Sequence, residues 1–308
     1  MNFVVVGGGT GVSTLLRGLK YFKGIDLKAI ITVTDEGGSS GVLRREYNII
    51  PPGDIRNNLV ALAKDEEILG KLFSYRFSNG FLLGHTVGNI ILTALTKMLG
   101  SFTKAVEYIS EVLAINGKVI PVSEDLVRLV AFYEDGTVAH GESEIMKVVK
   151  KKIIKISLDK ETYINKEADC AIKNADVIIL GPGSIYTSII PNLLVNGFYE
   201  SLNKSKAKVV YVSNLMTQPS ESYNFTLSDH VTTIERYLKR KVDYIIVSYS
   251  NICESVLRRY LENGSVPVEV DMNDERIIID DLIEMKDNDG RIRHNPLRLA
   301  SLIIDLIR

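Results

Sequence analysis

This sequence predicts an α/β fold: a Rossmann-like three-layer α/β/α arrangement with a mostly parallel sheet and a small antiparallel β insertion. Three observations predict it. Apolar runs such as Phe3-Val4-Val5-Val6 and Ile178-Ile179-Leu180 show no polar alternation, the mark of strands covered on both faces. Each of these runs leads into glycines and then into a helix-length stretch. The chain has 308 residues, 45% of them hydrophobic and 24% charged, which suffices for one large core.

Taken in order, Phe3 to Val6 make the first strand. Ser13 to Lys20 follow as a helix, closed by Lys20 and Lys23 ahead of Gly24. Leu27 to Val33 are a second strand, and a strand–helix–strand unit this short calls for parallel pairing. Residues 55–75 and 86–115 carry helical periodicity, with Thr86 placed to cap a helix bearing Ile90, Ile91, Leu92, Leu95 and Leu99. The middle changes character. Val119-Ile120-Pro121-Val122, residues 127–132 and residues 137–140 are short strands, and Glu134-Asp135-Gly136-Thr137 supplies hairpin chemistry. Residues 116–165 therefore form the expected antiparallel insertion. Residues 175–180, 208–212 and 242–247 return to buried strands, and an amphipathic helix from Pro296 closes the chain. With no repeat and no low-complexity linker, residues 1–308 are expected to form a single α/β domain carrying that insertion.

Bulk properties exclude several functions. The net charge of −1 provides no field for nucleic acid, and the basic run at Lys147 and Lys150-Lys151-Lys152 is a solvated edge. Cys170 and Cys253 stand far apart with no Cys-x-x-Cys partner, which suits a reducing compartment rather than a disulfide or zinc scaffold. The first residues lack a signal-peptide pattern and no apolar run is long enough to span a bilayer. A cytoplasmic protein is expected.

Ligands of open α/β sheets bind outside the carboxyl ends of strands, where this chain places glycine-rich loops. The first is Gly7-Gly8-Gly9-Thr10-Gly11, whose backbone can approach an anion at a helix start. The dinucleotide fingerprint wants its last glycine at position 12, which is Val12, and no Lys-Ser/Thr pair makes this a P-loop. After the second strand, Asp35 and Glu36 precede Gly37-Gly38-Ser39-Ser40-Gly41; that loop offers Gly38, Ser39 and Ser40 to an anion and the two acids to Mg2+. Asp54 in Pro51-Pro52-Gly53-Asp54 is a helix N-cap or a third metal candidate, while Arg56 and Asn57 are solvated or aimed at phosphate and sugar. His85, between glycines, is a further candidate. A third loop, Gly181-Pro182-Gly183-Ser184, opens a helix with Ser184 at the cap. Asn214, Thr217 and Gln218 suit a base or sugar edge, and Asp229 is a base, a metal ligand or a cap. Three such loops point to a ligand with more than one phosphate.

The strings GGGTGVSTLLRGLK, DEGGSSGVLR, PPGDIRN, GHTVGN, GPGSIYTSIIPNLLV, NLMTQP and SDHV, in this order over residues 4–231, resemble the YvcK-type gluconeogenesis factor family, the bacterial branch of the 2-phospho-L-lactate transferase-like superfamily. Arg293-His294-Asn295 is similar to that family's C-terminal element. The resemblance implies a cytoplasmic regulatory factor that binds a UDP-sugar such as UDP-N-acetylglucosamine and serves gluconeogenic growth and cell-shape or envelope homeostasis, with no established catalysis. It requires no cofactor and leaves room for a protein partner and a homo-oligomer. By position it puts the diphosphate near Gly8, Gly9, Thr10, Gly11, Gly183 and Ser184. Sugar and base fall near Asp35, Asn57, Asn214, Tyr260 and Arg293. Two departures stand out: Glu36 occupies a usual aspartate position, and Val42 a usual arginine position. The alternative is an Mg2+-dependent transferase of a phospholactyl-type group from a nucleoside diphosphate carrier, with Asp35, Glu36 and Asp54 as candidate metal ligands. A nicotinamide-dependent oxidoreductase is disfavoured by the off-register glycine.

Overall fold

A computed structural model describes residues 1–249, 252–285 and 291–308. Seven strands form one parallel sheet: β1 (Asn2–Gly7), β2 (Asp26–Ile31), β3 (Lys118–Pro121), β7 (Val177–Leu180), β8 (Lys208–Val212), β9 (Tyr244–Ser248) and β10 (Ile277–Asp280). Their spatial order is β10-β9-β8-β7-β1-β2-β3, every neighbouring pair parallel. Val4, Val5, Val6, Ile30, Ile31, Ile178, Ile179 and Leu180 are wholly buried, as unbroken apolar runs require when helices cover both faces. Each such side chain contributes roughly 1.5–3 kcal/mol of burial.

Strand order runs one way from β1 and the other way from β7. Right-handed crossovers then lay the two halves' helices on opposite faces and open a crevice between the carboxyl ends of β1 and β7. Helix α1 (Gly9–Leu19) starts in that crevice and buries Val12, Leu15, Leu16 and Leu19 at helical spacing. Helices α2 (Gly38–Tyr47) and α3 (Gly53–Leu62) follow β2. The last helix, Pro296–Ile307, lies along α1; a Cβ on Gly18 would meet the Pro296 carbonyl oxygen at 1.9 Å, so only glycine permits the approach.

The antiparallel insertion is narrower than expected. A three-stranded sheet of order β5-β4-β6 is made by β4 (Leu129–Tyr133), β5 (Val138–His140) and β6 (Ile153–Leu158). The run at Val119, Ile120 and Pro121 is not part of it. As β3 it pairs in parallel with β2, and Pro121 sits at the sheet edge where a missing amide costs no ladder bond. The insertion is fastened to the helix Leu227–Leu238 by the Ile156 amide, which donates to the Tyr237 hydroxyl at 2.9 Å. A two-stranded ribbon, β11 (Ile283–Met285) with β12 (Ile292–His294), precedes the last helix. Among the described residues, no helix is long and apolar enough to cross a membrane.

Candidate functional site

The crevice beyond β1 and β7 is a cleft of about 490 Å3. Gly8, Gly9, Thr10 and Gly11 line it from one loop, and Pro182, Gly183 and Ser184 from the other. Asn214 to Gln218 form a side wall, and Tyr260, Ser265, Ile292, Arg293 and His294 close it above. Asp54, Asn57 and Glu142 make an acidic corner. Of the residues anticipated from sequence, Gly8 to Gly11, Asp54, Asn57, Gly183, Ser184, Asn214, Tyr260 and Arg293 thus meet in one place.

Close backbone contact explains the glycine off the dinucleotide register. A Cβ on Gly11 would stand 2.2 Å from the Pro182 carbonyl oxygen, so this glycine is where the two loops abut. A Cβ on Gly8 would meet the Asp54 carboxylate at 2.6 Å. Helix α1 begins at Gly9 with no bond from its N-cap residue; the Asp54 carboxyl meets the Gly9 amide, and the later first-turn amides face the cleft.

The loop after β7 is built differently. Ser184 holds the N-cap position but makes no capping bond. Instead the buried Glu221 carboxylate accepts from the amides of Tyr186 at 3.0 Å and Thr187 at 3.1 Å, and from Thr187 Oγ1 at 2.8 Å. Gln218 Nε2 donates to Ser184 Oγ at 2.8 Å, and the Gly183 amide donates to Asn214 Oδ1 at 3.3 Å. The expectation that this loop receives phosphate just as the first does is therefore corrected: two of its helix amides are already occupied.

The loop after β2 does not line the cleft. Gly38, Ser39 and Ser40 form the first turn of α2; Ser39 Oγ meets His85 Nδ1 at 3.0 Å and accepts from Asn89 Nδ2 at 3.2 Å. Asp35 Oδ1 accepts from the Gly37 amide at 2.8 Å, and its charge is felt by Asp54. Glu36 is not free for a metal. Its carboxylate accepts from Arg128 Nε at 2.6 Å and Nη2 at 3.3 Å, with Arg44 Nη1 at 3.7 Å. The longer side chain at this position reaches the insertion and clamps it.

Asp54 lies inside the first turn of α3, where Pro52 takes the N-cap position, so the capping role expected of it is also corrected. Burial and the neighbouring Asp35 carboxylate push its carboxyl up to about 8, against the Gly9 amide and Arg56. Burial and Asp35 likewise push Glu142 up to about 9, while its Oε2 accepts from the Glu36 amide at 2.9 Å. The corner thus carries two carboxyl groups that burial and the Asp35 charge hold toward their neutral form. Arg56 is buried and donates to Thr86 Oγ1 at 2.5 Å, and Thr86 in turn caps its helix. Tyr260 is held by its hydroxyl, which accepts from the Ile292 amide at 2.9 Å. Burial pushes the His294 imidazole down to about 4, leaving it neutral near pH 7. Asp229 completes a capping box with Thr226, the cap reading among its three.

Sequence reasoning missed Glu142, Glu221 and His294 as site residues. No local pattern marks the two acids, since burial in the folded chain is what sets them apart.

A family model described as 2-phospho-L-lactate transferase CofD matches residues 3–284. A gluconeogenesis factor of Bacillus subtilis is 43% identical over 315 residues, covering 100% of this chain and 98% of that protein. One from Halalkalibacterium halodurans is 43% identical over 310 residues, 99% of this chain and 96% of its own. A Thermotoga maritima protein, provisionally described as a gluconeogenesis factor, is 50% identical over 312 residues and 98% of both chains. A crystal structure of a Bacillus halodurans protein, 43% identical, matches with a TM-score of 0.93 over 98% of this chain and 99% of that one.

Proposed function

This chain belongs to the 2-phospho-L-lactate transferase (CofD) family, on the side of its gluconeogenesis factors, and from that premise we propose that it binds a UDP-sugar of the UDP-N-acetylglucosamine type as a regulatory factor of gluconeogenic growth. The observation that carries the reading is the cleft in which uncapped α1 amides face the Ser184 loop. Its volume of about 490 Å3 falls within the range of small-molecule sites. The α1 amides suit one end of a diphosphate and the Ser184 hydroxyl the other. Asn214, Thr217 and Gln218 supply amide and hydroxyl groups for a sugar or base edge, and Tyr260 an aromatic face. Calorimetry with UDP-N-acetylglucosamine tests this. Saturable binding without turnover is expected, and failure to bind any UDP-sugar would sink it. The cellular part of the reading expects a deletion strain to grow poorly on gluconeogenic carbon sources and to lose normal shape.

The acidic corner favours a second reading, an Mg2+-dependent transferase of a phospholactyl-type group. Among the described residues, no three Asp, Glu, His or Cys groups stand close enough to cage an ion by themselves. One or two carboxylates plus substrate phosphates are the usual Mg2+ donor set, and Asp54 with Glu142 fits it. The ion would supply charge neutralisation of the diphosphate. Asp54 would hold that charge beside the Gly9 amide, and the neutral His294 would add no charge of its own to the roof. Release of a nucleoside monophosphate that depends on Mg2+ would decide for this reading.

A further inference from the structure

Glu221 has no part in either reading above, yet it is wholly buried beside the cleft. The groups that bond to it donate: two backbone amides and the Thr187 hydroxyl, with the Ser184 hydroxyl beside them. No basic side chain among the described residues is within bonding reach of it. Hydrogen bonds from these donors favour its charged form against the burial that pushes its carboxyl up. The amides of Tyr186 and Thr187 open the helical stretch 185–193, and they are the donors that a ligand phosphate takes at an open strand–glycine–helix junction.

The cleft feels this charge. Gly183, Ser184 and Ser188, which flank the two capped amides in sequence, all line it. Glu142 on the opposite corner is held toward its neutral form in part by Glu221. The ligand-facing donors left on this side are fewer than on the other: the Gly183 amide is engaged by Asn214, and the Ser184 hydroxyl, which accepts from Gln218, is shared with Glu221.

We propose that Glu221 is a resident anion standing where a further ligand phosphate would dock, so that it sets phosphate number: the cleft accepts a diphosphate across α1 and Ser184 and turns away a triphosphate. The proposal rests on the nucleotide-cleft reading only for the identity of the base and sugar. The phosphate preference itself is a property of the two loops.

Inorganic pyrophosphate and tripolyphosphate, titrated into the full chain at one fixed Mg2+ concentration, test it without any nucleoside. Wild-type protein is expected to favour pyrophosphate by about tenfold or more, the scale of a like-charge contact in a partly dry site. Glu221→Gln, with fold checked by circular dichroism, is expected to lose most of that preference, and Glu221→Asp, which keeps the charge, to retain it. A merely structural role would weaken both probes alike and leave their ratio intact, which overturns the proposal. So does wild-type protein that binds both probes equally or neither. Should Glu221→Gln fail to fold, a lost preference in folded Glu221→Asp overturns the charge argument. Pyrophosphate discrimination in a protein that ignores every UDP-sugar would sink the UDP-sugar reading and leave Glu221 in its role.

Discussion

The loops that end β1 and β7 face each other across one cleft and share a pattern of strand, glycines and helix, yet they treat their helix amides in opposite ways. The first opens α1 with no bond from its N-cap residue and with only the Gly9 amide met, by the Asp54 carboxyl. The second delivers its helix amides to Glu221. The difference teaches that a glycine loop at a helix start makes anion binding possible without reserving it for a ligand. What decides is a carboxylate that the tertiary fold brings from elsewhere, 34 and 35 residues away in this case.

The comparison breaks most severely at Gly11, where the loops touch. Gly11→Ala improves helix propensity by about 1 kcal/mol, but its Cβ would press on the Pro182 backbone at 2.2 Å. The expected net loss is about 3 kcal/mol of stability, together with loss of nucleotide binding, read by thermal melting and calorimetry. An unchanged melting temperature would mean that the loops part easily.

Asp54 sharpens the contrast from the first loop's side, since it reaches the Gly9 amide. The unfolded chain releases this proton near pH 3.8, whereas the folded, ligand-free protein keeps it up to about pH 8. The folded state then binds more protons across that window, so stability falls as pH rises from about 4 to 8 and levels off above. Asp54→Asn removes that slope and is expected to add about 1–3 kcal/mol at pH 8 and little at pH 4. Melts at both pH values in a chelating buffer check this; equal gains at the two would refute the assignment.

The mildest change is Ser184→Ala. It deletes the hydroxyl that the second loop still offers and is expected to cost about 1 kcal/mol, or roughly fivefold in diphosphate affinity. An effect as large as that of Gly11→Ala would erase the asymmetry between the loops.

The sheet was legible because burial on both faces writes itself into unbroken runs: Val4 to Val6 and Ile178 to Leu180 admit few other placements. β3 was misplaced because a four-residue run containing Pro121 carries no sign of its partner. At the site, backbone-driven features were readable, since Gly8 to Gly11 and Gly183 must be small wherever loops and ligand crowd together. Side-chain chemistry was not. Glu36 looked like a metal ligand until Arg128 arrived from the insertion, and no local pattern singles out Glu142 or Glu221. Ser39 and Ser40 suggested an anion loop, but His85 and Asn89 enlist Ser39 in tying α2 to its neighbour. Each of these outcomes depends on a residue distant in sequence.

The seat of Pro296 on Gly18 has a mechanical consequence. One end of α1 floors the cleft, the other braces the final helix, and β12 leads from that helix back to the roof with Arg293 and His294. Floor, rod, brace and roof form a closed linkage, in which no member shifts without carrying the next. Clipping the chain ahead of Pro296 would open that linkage and cost ligand grip along with stability.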